Sequence, residues 1–79
     1  MPLADRLTDI FGEVFGLEKR KFSPDLAPED VPHWDSIGHM NMVTALEKEF
    51  DLQFEVDEIM EMSSPAKIIE ILRSKGVEE

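Results

Sequence analysis

Apolar residues recur at helical spacing in three places along this chain. The first stripe is Leu3, Leu7, Ile10, Phe11 and Val14, with steps of four, three, one and three. Such steps keep side chains on one face of a helix. Pro2 suits a first turn and Gly16 a stop, so the pattern predicts a helix over about 3–15. Asp5, Arg6, Asp9 and Glu13 then face water. The second stripe, Ile37, Met40, Val43, Leu46 and Phe50, predicts a helix over about 36–50 that buries these five side chains. The third, Pro65, Ile68, Ile69 and Leu72, follows Ser64-Pro65 and precedes Gly76. Ser64 suits the N-cap and Pro65 the first helical position, with Lys67, Glu70 and Arg73 outside. The tail Val77-Glu78-Glu79 is expected to fray.

The segments between the stripes carry weaker signals. Residues 17–34 hold Pro24, Pro28 and Pro32 without a sustained period, which predicts a long loop. Leu17, Phe22, Leu26 and Val31 would be exposed in a floppy linker, so some of them should tuck into the core. After the second helix, Phe50, Leu52 and Phe54 alternate with polar residues, giving an extended segment too short for a sheet. Residues 57–62 predict one or two helical turns. Together these elements predict an all-α fold. It is a small four-helix bundle of three longer helices and one short one, with a long first loop, forming a single domain over residues 1–79.

Composition narrows the function. The chain has 79 residues, no Cys and a net charge of -10. So short a chain buries only about 60% of its unfolded surface, leaving little room for a deep enzyme pocket. Without Cys there is no disulfide framework and no thiolate chemistry. The acidity excludes nucleic acid and disfavours anionic membranes, and it makes a basic protein surface the natural partner. No apolar run approaches the roughly 20 residues of a membrane span. The first residues lack the basic and apolar blocks of a signal peptide, so a monomeric cytoplasmic protein is expected. Glu18-Lys19-Arg20-Lys21 is the one basic cluster, either a solvated loop or a second contact patch.

Candidate chemistry converges on Trp34-Asp35-Ser36-Ile37-Gly38-His39-Met40, at the corner between the loop and the second helix. Asp35 suits the N-cap, because its carboxylate can accept free N–H groups of the first turn. Ser36 then lies in the positive end of the helix dipole, where an anion joined to its hydroxyl would be stabilised. That makes Ser36 a good point of covalent attachment. Gly38 either tolerates a weak position, at a cost of about 1 kcal/mol relative to Ala, or lets another group approach the backbone. Asp35, Ser36 and His39 do not make a hydrolase triad, since Asp35 is committed to the cap and no oxyanion donors are evident. His33 and His39 lack a third metal ligand. Trp34 anchors the loop or contacts a ligand or partner. Met40, Met42, Met60 and Met62 suit the core or an adaptable cleft.

At these residues the chain resembles the acyl carrier proteins. Their attachment motif is usually Asp-Ser-Leu, followed by a helix that ends in a Leu-Glu-x-x-Phe-like pattern. Here the matching residues are Asp35-Ser36-Ile37, then Met42-Val43 and Ala45-Leu46-Glu47-Lys48-Glu49-Phe50. The Leu/Phe-rich first helix, the long loop, the segment from Val56 to Met62 and the Ser64-Pro65 start fall in the family's order, so the resemblance covers nearly the whole chain. It implies a non-enzymatic carrier whose Ser36 bears 4'-phosphopantetheine, donated from coenzyme A by a phosphopantetheinyl transferase. Asp35 would help that transferase engage the site. Acyl or related cargo would ride as a thioester to loading and transferring enzymes of fatty-acid, polyketide-like or other specialised pathways.

The chain departs from the fatty-acid carriers beside the serine. It has Ile37 for Leu, and Gly38, His39 and Asn41 where acidic residues are common. Acidic charge comes later, at Glu47, Glu49, Asp51, Glu55, Asp57, Glu58 and Glu61. This favours a specialised free-standing carrier whose dedicated partner reads Trp34, Ile37, His39 and Met40 near the serine and Glu47 further off. Acyl cargo is expected to enter between the second helix and the short one, past Ile59 and Met62. The alternatives are an aminoacyl or peptidyl carrier, and an unmodified acidic helical adaptor.

Overall fold

A computed structural model describes residues 2–78, with helices α1 (Leu3–Phe15), α2 (Ser36–Phe50), α3 (Val56–Met60) and α4 (Pro65–Ser74). Among the described residues there is no strand. The three long helices match their expected bounds closely, because each carries its own stop and start chemistry. Gly16 takes the left-handed conformation (φ 70°). Its N–H still reaches the Gly12 carbonyl, and the turn lets the Leu17 N–H reach Phe11. The Ser64 hydroxyl accepts the Lys67 N–H, and Pro65 fills the first position of α4.

The core is apolar throughout. Leu3, Leu7 and Phe11 of α1 meet Met42 and Leu46 of α2 and Ile68 and Leu72 of α4, all fully buried. No polar or charged side chain among the described residues is buried. Arg6, expected in water, is half-buried. It bonds Glu49 at 2.9 Å and lies 4.3 Å over the Phe50 ring, so it ties the end of α2 to α1. In α4 Ile71 joins the buried face and Ile69 is only half-buried, a shift of the expected stripe. Val77 is not frayed. Its N–H bonds Leu72 and its side chain packs on the core, while Glu79 lies outside the described residues.

The α2 stripe needs a larger correction. Val43 and Leu46 are buried, but Ile37 is 76% and Met40 50% exposed. A helix turns about 100° per residue, so three successive steps of three carry the side chain half-way round. Ile37 and Leu46 therefore lie on opposite sides. The face that is buried runs through Gly38, Met42 and Leu46, with Val43 beside it.

The long loop is ordered by its apolar residues. Leu17 and Val31 are buried, Phe22 and Leu26 half-buried. Two short 3-10 turns, Lys19–Lys21 and Pro28–Asp30, take up part of its length. The Pro24 carbonyl accepts the Ala66 N–H and so fastens the loop to the start of α4. The basic cluster is largely self-satisfied, with Arg20 and Lys21 on Glu18 and Lys19 on Asp9. Arg20 first, then Lys21, holds the Glu18 carboxyl below the usual carboxylate range.

Candidate functional site

The corner at Asp35-Ser36 rests on an aromatic base. Trp34 is 6% exposed. Its ring meets Phe11 edge-on at 5.3 Å and lies 5.6 Å from Phe15. Phe11 also packs on Phe22 of the loop, at 5.5 Å. Edge-to-face pairs of this kind add stabilisation beyond the area they bury. The residue two before Ser36 is thus fixed to α1, and the start of α2 inherits that position.

Asp35 caps α2 as expected. Its Oδ1 accepts the Gly38 N–H at 2.9 Å, and its carbonyl accepts the His39 N–H at 2.7 Å. Loss of such a cap costs about 1 kcal/mol. Ser36 is exposed at the first position of the helix, and Ile37 follows it into solvent. The first N–H groups of a helix have no intrahelical acceptor, so this end attracts anions. The Asp35 carboxylate is bonded to the Gly38 N–H, while Ser36 is exposed and lines an open groove. The residues present therefore fit a phosphate-linked group.

Gly38 answers a different demand from the two weighed in the sequence. It is buried, and a Cβ on it would collide with the His33 carbonyl oxygen and approach Phe15 to 3.1 Å. His33 itself is left-handed (φ 64°). The close approach at Gly38 is made by the protein's own loop, which removes it as a landing place for an arm or a partner.

His39 is the residue whose role the sequence obscured. Its Nδ1 accepts the Trp34 indole N–H at 2.8 Å, with the two rings nearly parallel at 11°. Since an indole nitrogen only donates, the ring proton sits on Nε2. Nε2 lies 2.8 Å from the Ile59 carbonyl oxygen and donates to it. Both nitrogens are engaged inside the chain, which leaves neither free to act as a base for Ser36 or to bond a partner. The available signal was its place three residues before Met42 and four before Val43, at the edge of the buried face. Nothing local pointed to Ile59.

Beside Ser36 lies an open groove of about 600 Å³. Ser36, His39 and Met40 line it from α2, and Met60 and Met62 from α3 and its exit. Met62 is buried in the core, whereas Met60 is 78% exposed. Asp35 is the one carboxylate among the lining residues. The acidic residues further off are partly used within the fold. Glu47 accepts the Phe54 N–H, Glu49 bonds Arg6, and Glu58 bonds both the Glu55 N–H and Lys75. The Glu55 N–H, and after it Lys75, holds the Glu58 carboxyl below the usual carboxylate range against the opposing pull of burial. Asp51, Glu55, Asp57 and Glu61 remain exposed.

No curated protein matches this chain as a relative. The family model of the phosphopantetheine attachment site matches residues 5–72, from the first turn of α1 to near the end of α4. That span contains the capped corner, the groove beside it, all of α2 and α3, and most of α1 and α4. The chain therefore belongs to the phosphopantetheine attachment family, whose domains carry covalently bound 4'-phosphopantetheine.

Proposed function

We propose that Ser36 is the attachment residue and that the chain is a specialised acyl carrier. The observation that carries this is the exposed hydroxyl at the first position of a capped helix, held on a fixed aromatic base within the family's domain. The bound arm supplies a terminal thiol that carries cargo as a thioester. The protein supplies reach and addressing, and partner enzymes supply the catalysis. Intact mass after incubation with coenzyme A and a broad-specificity phosphopantetheinyl transferase tests the assignment. Wild type gains one phosphopantetheine group and Ser36→Ala gains none. Ser63→Ala, which alters a second exposed serine on the same groove, still gains one. An unmodified wild type would leave the chain as an acidic helical adaptor, and modification of Ser36→Ala would move the site.

Partner choice follows from what is exposed at the rim. Ile37, Met40, Val56 and Met60 offer apolar contacts, with Asp57 and Glu61 as flanking charge. Trp34 and His39 are committed inside the fold, so Val56 and Met60 take their place beside the expected Ile37 and Met40. The partner is a dedicated enzyme with an apolar patch edged by basic residues. Each exposed ion pair is worth at most about 1 kcal/mol, so the apolar contacts dominate and salt weakens binding only in part. General fatty-acid elongation enzymes, gripping acidic residues from the serine onward, find few here. The double variant Ile37→Glu with Asn41→Glu, loaded to the same extent, serves them better than wild type. Equal service by wild type sinks this view of partner choice.

A further inference from the structure

One helical turn from Ser36, a side chain of α2 bridges the seam to α3 by a hydrogen bond. His39 leaves the edge of the buried face of α2 and donates to the Ile59 carbonyl of α3 at 2.8 Å. Trp34 stands behind it and supplies the second hydrogen bond, also at 2.8 Å. Trp34 is in turn wedged against Phe11 and Phe15, so the bridge is braced on α1. On one side of it lies the core, with Met42 and Leu46 fully buried. On the other lies the groove, where Met40 and Met60 are exposed. α3 contributes no buried residue. Its half-buried Ile59 packs on the core, and two polar ties add to that contact: His39 at its end near the serine, and Lys75, 3.0 Å from Glu58.

We propose that His39 is a positioning residue, a latch braced by Trp34 that closes the seam between α2 and α3 and keeps cargo in the outer groove, out of the core. The bridge occupies the place where a chain reaching in from Ser36 would have to pass. A cargo then rests on Met40 and Met60, whose flexible side chains adapt to its shape. Cargo selection follows from this arrangement. Short or polar acyl groups are accommodated in the groove, whereas a long alkyl chain gains no shelter and stays open to partner and solvent. It is the opposite of the expected entry of acyl cargo into the bundle past Ile59 and Met62. It rests on attachment at Ser36, so the test has one arm that needs no cargo.

Without cargo, the one Trp of the chain gives one indole N–H signal, a direct reporter of the bridge. In unmodified wild type that signal is protected from exchange with solvent. His39→Ala exposes it and speeds amide exchange at Ile59 and Met62 severalfold more than at Leu7 of α1. His39→Gln, whose amide can still donate to Ile59, slows exchange at those two positions again. Equal acceleration at Leu7, or no acceleration, overturns the latch whatever the fate of Ser36. With cargo, proteins shown by mass to be loaded to completion with butyryl or octanoyl groups are compared. In wild type, shifts concentrate at Met40, Met60 and Ser63 for both chains. In His39→Ala the octanoyl chain also shifts Leu46 and Ile68, and His39→Gln behaves as wild type. An octanoyl chain that shifts Leu46 and Ile68 in wild type overturns the proposal, even where His39→Ala fails to fold.

Discussion

The bundle formed by α1, α2 and α4 is held by apolar side chains buried to the last few per cent, whereas α3 buries no side chain fully: half-buried Ile59 packs on the core, and a hydrogen bond and an ion pair add ties at its surface. Both regions lie within the span matched by one family model, yet they respond to perturbation on different scales. Burial of a large side chain stabilises by a few kcal/mol, while an exposed polar tie contributes about 1 kcal/mol or less. The difference separates two duties. The three-helix core fixes where Ser36 stands, and α3 forms an adjustable wall beside it. Elements of low local stability are those from which moving parts are drawn.

The largest way to break this comparison is at the point where the core carries the site. Phe11 is fully buried and touches Phe15, Phe22 and Trp34. Phe11→Ala should cost about 3–5 kcal/mol, read as a fall in the urea midpoint, a large share of the stability of so small a domain. Met60→Ala on α3 should stay within about 0.5 kcal/mol in the same titration, because Met60 is mostly exposed. Similar losses for the two would erase the distinction between the regions.

A smaller effect sharpens the boundary between them. Gly38→Ala places a methyl group against the His33 carbonyl and Phe15, an overpacking expected to cost about 1–3 kcal/mol. Asn41→Ala, exposed on the same helix, should cost nothing measurable; urea titration of the two variants checks both. If Gly38→Ala is harmless, the loop is not seated on α2 as described.

The smallest effect concerns α3 alone. The Glu58 carboxyl is held below its ordinary range, so its contribution is present above the unfolded value and is lost as pH falls through the folded one. Backbone carbon shifts of residues 56–60 should therefore drift toward coil on acidification before those of α1 do. Glu58→Gln retains an acceptor for the Glu55 N–H and removes the charge, and should flatten this dependence. Simultaneous drift in α1 and α3 would make the short helix part of the same cooperative unit.

Much of this was legible in the sequence because its signals are local. The starts and stops of α1, α2 and α4 are written in Gly16, Asp35, Ser64 and Pro65, each acting within a turn of itself. The exposed hydroxyl of Ser36 follows from the same cap. What the sequence obscured depends on direction or distance. Ile37 and Met40 share the spacing of the core residues but lie on the far side of the helix, because repeated steps of three drift round it. Glu47 and Glu58 look like free surface charge until the chain folds and brings the Phe54 N–H and Lys75 to them. His39 spans twenty residues to Ile59, and a backbone carbonyl leaves no mark on a side-chain pattern.

The seating of the His33 carbonyl against Gly38 has a consequence for how such a protein can diversify. One side of the first turn of α2 is filled by the chain itself, so change at Gly38 or Trp34 is paid for in folding. The other side, with Ile37, Met40 and Asn41, faces outward and can be rewritten at little structural cost. Inheritance of the scaffold and invention of new partnerships are thereby assigned to buried and exposed positions of the first two turns of one helix. A lineage built on this corner could exchange its client enzymes by substitution on the outward side alone, while the serine stays where it is.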